Sequence, residues 1–288
     1  MEQLEWVKRW DEALAYLEAH LTEEIDYERA AQIACCSVYH FQRMFAYLAG
    51  VPLSEYLRRR RMTLAAVDLQ AMPESRIVDI ALKWGYASPT AFNRAFQSVH
   101  GVAPSAVRGG GVSVKSFAPI RFHITIKGAE AMDYRIEKRE AFRVVGISRP
   151  LEREIEKNFE TVPSLWQQAA MNGTIAALAA KMDGELKGLM GISACGAQEE
   201  WRYYIAVAST APAEGFEEYV VPAADWAVFS GRGTSQSIQK LEQRIVTQWL
   251  PASGYEYADG PDVELYLSPD PQNAVYEVWI PVTKRREN

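Results

Sequence analysis

Glu264 lies in a stretch that alternates in character, Asp262-Val263-Glu264-Leu265-Tyr266-Leu267. Successive side chains of a strand point to opposite faces, so Val263, Leu265 and Leu267 share one face and Glu264 shares the other with Tyr266. A mid-strand carboxylate beside an aromatic ring is costly unless a cation or hydrogen bonds compensate it. The chemistry on offer is capture of a cation, or general-base catalysis if burial raises the carboxyl's proton affinity. An ordinary strand Glu paired with Lys or Arg fits the same pattern. Glu277 and Trp279 alternate similarly within Ala274–Pro281, which makes Glu277 a second candidate. Trp166, Trp201, Trp226, Trp249 and Trp279 crowd the same half of the chain. Each aromatic face attracts a cation by ~0.5–2 kcal/mol. Most of these rings are expected in the core, with a minority left to touch a ligand.

A different chemistry is written into the first half. The pattern SVYHFQRMFAYLAGVPLSEYL, from Ser37 to Leu57, returns 51 residues later as SPTAFNRAFQSVHGVAPSAVR, from Ser88 to Arg108. Phe41 and Phe45 are four apart, as are Phe92 and Phe96, so each copy buries one stripe of a helix. Removing that stripe leaves Val38, Tyr39, Gln42 and Arg43 exposed on the first helix, and Pro89, Thr90, Asn93 and Arg94 on the second. Arg pairs bidentately with guanine, and Gln or Asn with adenine, so these are candidate base readers. Arg43 and Arg94 hold matching positions, and a phosphate or an acidic partner would also suit either one. His40 reads as a packing residue.

The elements that must position these residues are legible from caps. Ser37 and Ser88 suit N-caps, Pro89 suits the first helical position, and Gly50 and Gly101 suit left-handed helix ends. Short helical patterns, Ala30–Ala34 and Ile77–Leu82, precede the two copies. Short helix, tight turn and second helix is the helix-turn-helix layout. Between the motifs, Leu53–Met72 reads as one helix of roughly 30 Å. That approaches the ~34 Å between successive major-groove faces, so one chain can set both reading helices on one side of a duplex. Arg58 to Arg61 rotate around this helix, so only some of them can face DNA. Two such motifs, at about residues 27–50 and 77–101, resemble the DNA-binding domain of the AraC/XylS family of transcription regulators. The resemblance is carried by Gly85-Tyr86, the Phe pairs, Gly101-Val102-x-Pro104 and the connecting helix with its Arg58–Arg61 run. Cys35 stands in a turn where the family often has Gly, and Val107 where it usually has Tyr. The resemblance implies promoter double-stranded DNA and RNA polymerase as partners, and points to the same reading positions. Leu4, Val7, Leu14, Leu17 and Leu21 mark a supporting amphipathic helix over residues 4–20, with an acidic outer face.

A net charge of −6 looks wrong for a DNA binder until it is divided along the chain. Residues 29–108 carry ten Lys/Arg against four Asp/Glu, whereas residues 1–28 carry nine acids against two bases. Phosphate attraction decays within a Debye length of ~10 Å, so the local charge is the one that counts. A chain of 288 residues, 48% hydrophobic, suggests two domains with ample core for both. Three Cys, with Cys35 and Cys36 adjacent, supply neither a disulfide framework nor metal spacing, so no metal or cofactor is expected. They suit a reduced, cytoplasmic protein. The charged start does not read as a signal peptide, and no apolar run approaches the ~20 residues of a membrane span.

Gly109-Gly110-Gly111 breaks the helical pattern and reads as a hinge. It opens a linker over 109–131, in which Ile120, Phe122, Ile124 and Ile126 alternate with polar residues like a strand. Residues 132–284 mix strands and helices. Strand candidates are Tyr134–Lys138, Phe142–Ser148, Gly188–Ser193, Trp201–Ser209, Phe216–Val221, Ala227–Gly231, Asp262–Leu267 and Ala274–Pro281; helices fit Val162–Met182 and Ser237–Leu250. This suggests a duplicated β-β-α-β-β unit forming one antiparallel sheet covered by two helices. MDYRIEKREAFRVVGI, WAVFSGRG, VELYL and AVYEVWIPV resemble the GyrI-like ligand-binding domain often found behind AraC-type DNA domains. That resemblance implies a pocket for small aromatic or hydrophobic, often cationic, effectors and assigns Glu264 to it. The candidate ligand-binding set is Glu264, Tyr266, Trp226, Trp166, Tyr203, Glu277 and Trp279. The expected architecture is multidomain: an all-α domain over 1–108 with two helix-turn-helix motifs, then an α+β GyrI-like domain over 132–284. The expected function is transcription regulation through an effector-sensing domain, not enzyme activity. Some GyrI-like domains hydrolyse small electrophiles, so a hydrolase is the alternative, beside a ligand-independent protein-binding module.

Overall fold

Ser37 and Ser88 each accept a bond from the backbone N–H three residues on, His40 and Ala91 respectively, both at 3.2 Å. Each opens a helix of 12 residues. The computed structural model describes residues 5–122, 131–152, 155–195, 200–268, 270 and 273–285. Its first unit, Met1–Ile124, is helical: α1 (Glu5–Ala19), α2 (Tyr27–Ile33), α3 (Val38–Ala49), α4 (Leu53–Ala71), α5 (Ile77–Lys83), α6 (Pro89–His100) and α7 (Pro104–Arg108). The pairs α2–α3 and α5–α6 are the two helix-turn-helix motifs. Both turns close the same way, with Cys36 N–H donating to Ala31 O at 3.0 Å and Tyr86 N–H to Ala81 O at 2.9 Å. This geometry needs a left-handed residue just past the helix. Gly85 supplies it at φ 80°, and Cys35 takes it at φ 56° despite carrying a Cβ. The turn shape is therefore the same in both motifs.

The four consecutive arginines of α4 are spent on this frame. Arg58 bonds Glu55 and, at 3.1 Å, Ser98 of α6. Arg59 reaches Glu55. Arg60 grips Glu18 of α1 through Nε and Nη2, both at 2.8 Å. Arg61 donates to the carbonyls of Leu21 and Glu23 at 2.7 Å. The sequence could not say which arginines turn away from solvent; Arg59 pairs within α4, and the other three tie α4 to a neighbour.

The glycine run does not end the first unit. Residues 112–122 form no strand, contrary to the alternation at 120–126, whose remainder lies outside the described residues. Instead they lie as an extended strap whose N–H groups bond side chains: Lys115 to His100, Phe117 to Thr63, Ile120 to Tyr56 and Phe122 to Asp11. Extended backbone has the same period as a strand whether its partners are another backbone or side chains, which is why the pattern misled.

The second unit, Thr125–Asn288, contains β1 (Tyr134–Arg139), β2 (Phe142–Pro150), α8 (Ile155–Met171), α9 (Thr174–Ala179), β3 (Leu189–Cys195), β4 (Trp201–Ala208), β5 (Glu217–Val221), β6 (Ala224–Gly233), α10 (Ser235–Arg244), α11 (Leu250–Ala252), β7 (Tyr255–Tyr257), β8 (Asp262–Tyr266) and β9 (Ala274–Lys284). A π-helical stretch, Ile245–Trp249, links α10 to α11. The strands form one antiparallel sheet in the order β1-β6-β9-β8-β3-β4-β2-β5, with β7 added beside β9. Exchanging β1, β2, β3 and β4 with β5, β6, β8 and β9 reads this order backwards, so the expected duplication is present as a pseudo-twofold between β3 and β8. The expected helix over 162–182 is corrected. α8 starts earlier, runs through Pro163 and stops at Met171, because Gly173 turns left-handed at φ 82° before α9 begins.

Glu140-Ala141 joins β1 to β2, and Pro222-Ala223 joins β5 to β6. Each short link connects strands from opposite ends of the sheet, so those ends must meet and the sheet curls around one face. That inner face holds the core: Val144, Met190, Ile192, Tyr204, Val228, Val263 and Leu265 with Trp226 and Trp279. A Trp hides roughly 200 Å², about 5 kcal/mol of apolar burial each. The outer face carries the helices, with Ser237 of α10 within 3.0 Å of the Tyr276 hydroxyl and Trp249 packed edge-on to Phe229.

His100 gives the first unit a pH dependence. Its Nδ1 accepts the Lys115 N–H at 3.2 Å, so the ring proton sits on Nε2 and faces the Met62 carbonyl at 3.0 Å. Burial holds its pKa below the ordinary histidine value, with the Lys115 charge adding to the effect. The folded form thus takes up a proton less readily than the unfolded chain, whose histidine titrates at about 6.5. The stability from this site is complete above that pH and falls as pH drops below it. We expect the urea midpoint of the first unit's transition to decline as pH falls below about 6.5 in wild type, and to decline less in His100→Gln.

Candidate functional site

On the outer face of the curled sheet, β8 delivers Glu264 opposite Gly191 of β3. One carboxylate oxygen, Oε2, accepts the Tyr266 hydroxyl at 2.7 Å and the Tyr203 hydroxyl at 3.2 Å. Trp166 of α8 then donates its indole N–H to the Tyr203 oxygen at 3.0 Å, and its ring meets that of Tyr266 edge-on at 5.2 Å. Burial pushes both phenols well above their usual range, and the Glu264 charge pushes them further. Both therefore remain protonated donors at neutral pH. Gly191 is what makes room: a Cβ there would lie 2.1 Å from the Tyr203 hydroxyl and 3.0 Å from Glu264 Oε2. Glu264, Tyr266 and Trp166 are half-buried, whereas Tyr203 is buried. The result is a carboxylate framed by three aromatic rings, a suitable seat for a positive charge in an apolar setting.

Four of the seven expected ligand residues thus come together: Glu264, Tyr266, Tyr203 and Trp166. The other three do not. β8 pairs with β9 so that Glu264 faces Val278 and Leu265 faces Glu277. Glu277 therefore shares the opposite face with Leu265, where Arg135 binds it through two bonds of 2.8 and 3.1 Å and Trp279 donates at 2.9 Å. Trp226 and Trp279 lie in the core on that same face, 0% and 1% exposed. They are structural residues.

One residue near the site was not anticipated. Glu242 of α10 is only 7% exposed. Its charge joins burial and Glu264 in raising the Tyr203 and Tyr266 phenols. The signal was available, because Glu242 falls on the helical stripe formed by Ile238, Ile245 and Trp249, all of them buried. A carboxylate on an apolar stripe needs a reason to be there. Among the described residues no group of His, Cys, Asp and Glu could hold a metal ion, and no helix is long and apolar enough to cross a membrane.

In the first unit the two reading helices differ. Pro89, Thr90 and Arg94 of α6 are exposed and Asn93 is half-buried. On α3, Val38, Tyr39 and Arg43 are half-buried and Gln42 is buried, at 9% exposure. The buried arc of α3 is wider than its Phe stripe and takes in His40 and Gln42, which corrects the expectation that Gln42 stands on open surface. His40 bonds Ser37 at 3.0 Å, as a packing residue should. Arg43 lies between two rings of its own helix, 6.0 Å from Tyr39 and 5.8 Å from Tyr47.

Comparison with known proteins agrees with both halves. Residues 132–283 match the GyrI-like small molecule binding domain, and residues 30–110 match a helix-turn-helix domain. The HTH-type transcriptional activator AarP of Providencia stuartii is 37% identical over 97 residues, 34% of this chain and 71% of that protein. Regulatory protein SoxS of Escherichia coli (strain K12) is 34% identical over 95 residues, 33% of this chain and 88% of that protein. Among solved structures, SAV2435 bound to tetraphenylphosphonium matches with a TM-score of 0.47 at 23% identity, over 53% of this chain and 94% of that one. The chain belongs to the GyrI-like small-molecule-binding family, and its helix-turn-helix half makes it a DNA-binding transcription regulator of the AraC type.

Proposed function

We propose that this regulator senses a small hydrophobic cation through Glu264 and reads promoter DNA with the outer faces of α3 and α6. The observation that carries the sensing is the half-buried Glu264 carboxylate held by Tyr266 and Tyr203 with the Trp166 ring beside it. The phenol bonds keep the carboxylate satisfied in the absence of ligand. An entering cation gains Coulomb attraction to Glu264 and the ring faces together, while a neutral molecule of the same shape gains only apolar contact. For DNA reading the support is the exposed basic and polar face of α6 on a capped, rigidly framed helix. Arg94 is the residue best placed to reach a base edge, and Gln42 the least accessible of the reading set.

Glu264→Gln keeps the shape and removes the charge. Losing a charge-assisted contact of ~1.5–3 kcal/mol should weaken tetraphenylphosphonium binding about ten- to hundred-fold. Binding of neutral triphenylphosphine oxide should change by less than about threefold. Calorimetric titration of both proteins with both compounds reads this directly, and equal losses for the two compounds would remove the ion pair from the mechanism. Turnover of a bound electrophile, lost in the same mutant, would favour the hydrolase reading instead.

Arg94→Ala should cost about 1–3 kcal/mol in specific DNA binding and relax the choice at one base position. Gln42→Ala should leave the selected sequence close to that of wild type. Selection of duplexes from a random pool by each protein tests both expectations, and unchanged selection by Arg94→Ala would take that residue off the base edges.

A further inference from the structure

The strap at residues 112–122 has a role that a linker would not. It leaves the second motif at its last reading-helix residue, where Lys115 N–H donates to His100. It then runs antiparallel to α4, with Phe117 N–H on Thr63 at 3.1 Å and Ile120 N–H on Tyr56 at 3.2 Å. The Phe117 carbonyl accepts Arg60, and its ring lies 5.2 Å under the Arg59 guanidinium. It ends between α1 and α3 of the first motif. There Phe122 N–H donates to Asp11 at 3.0 Å, and the Phe122 ring packs edge-on against Trp10 at 6.0 Å and Phe45 at 6.1 Å. Phe45 belongs to α3, and Trp10 also packs on Phe41 of α3.

The strap and α4 therefore connect the same two motifs by separate routes. From Lys115 to Phe122 the chain can span at most ~25 Å, comparable with the roughly 28 Å of a helix the length of α4. α4 already packs on both motifs, through Tyr56 on Phe45 and Arg58 on Ser98, but contacts along a single rod resist rotation about that rod least. A second tie on a separate line, anchored in each motif, stiffens that rotation. On DNA, a swing matters because each base pair inserted between half-sites moves the second site by ~3.4 Å and rotates it by ~35°. We propose that the strap is a ruler for DNA recognition, with Phe122 and Thr63 as positioning residues that restrict the regulator to one half-site spacing. The inference rests on both α3 and α6 engaging DNA.

The test uses the full chain and a duplex that wild-type protein selects from a random pool, together with versions carrying one base pair more or fewer between the two half-sites. Wild type should bind the unaltered duplex at least about thirty-fold more tightly than either altered one, about 2 kcal/mol of discrimination. Phe122→Ala should reduce that ratio below about threefold, while affinity for an isolated half-site stays within about twofold. Phe122→Leu, which refills the space between Trp10 and Phe45, should restore the ratio. Thr63→Val removes the acceptor for Phe117 without touching the aromatic packing, and should lower the ratio even if Phe122→Ala folds poorly. Equal weakening on all three duplexes would make the strap merely structural and overturn the proposal, as would full discrimination in both mutants. Wild-type tolerance of the altered duplexes would instead overturn two-helix reading, and the ruler with it.

Discussion

The DNA-binding half depends on a buried ion pair. Arg60 is held by Glu18 on one side and donates to the Phe117 carbonyl on the other, while the Tyr56 hydroxyl donates to the same Glu18 at 2.6 Å. Burial, followed by that bond to Glu18, raises the Tyr56 phenol above its usual range, so it stays a donor. One cluster thus joins α1, the connecting helix and the strap. Arg60 is buried and Glu18 half-buried, so removing Glu18 alone leaves a buried arginine stranded, at a cost that reaches ~3–5 kcal/mol for a fully buried pair. The acidic character of residues 1–28 is therefore partly architectural, since Glu18 neutralises an arginine that would otherwise be buried alone. The rest of the arginine run of α4, which invites a phosphate-binding reading, also has partners within the unit, Glu55 and Ser98 for Arg58, Glu55 for Arg59, and two carbonyls for Arg61.

In the effector half the corresponding constraint is register. Sheet registers are fixed by which faces must be buried, and a slip of one residue would carry Glu264 into the core and Val263 out of it. The apolar set of β8, Val263 and Leu265, settles the choice, because their partners Ile192, Met190 and Trp279 belong to the same inner core. Glu264 is left on the face beneath the helices, where the Tyr266 and Tyr203 hydroxyls donate to it.

Much of this was legible in the sequence because it is local. The Phe41/Phe45 and Phe92/Phe96 stripes, the Ser37 and Ser88 caps, and the shared face of Glu264 and Tyr266 all follow from periods within one element. What was not legible depends on pairing between elements. Nothing inside Ala274–Lys284 says that Glu277 sits in register with Leu265 and not with Glu264, so Glu277, Trp279 and Trp226 could not be assigned to the inner face beforehand. Gln42 failed for a related reason, since the width of a helix's buried arc depends on what packs against it. The strap failed because backbone bonded to side chains has no signature distinct from backbone bonded to a strand. Glu242 is the opposite case, a charged residue on a visible apolar stripe.

A sheet made of two copies of one unit begins with every position doubled. At the seam, Gly191 and Glu264 are cross-strand partners, the two halves' versions of a single place. Facing residues of an antiparallel pair stand ~4.5–5.5 Å apart, and two carboxylates at that separation would share a proton and hold one net charge between them. A glycine on one side and a glutamate on the other avoids that degeneracy. The Glu264 carboxylate of the cradle is thereby displaced to the β8 side of the pseudo-twofold. A cation seated there, as proposed, would meet its counter-charge off the axis that relates the two halves.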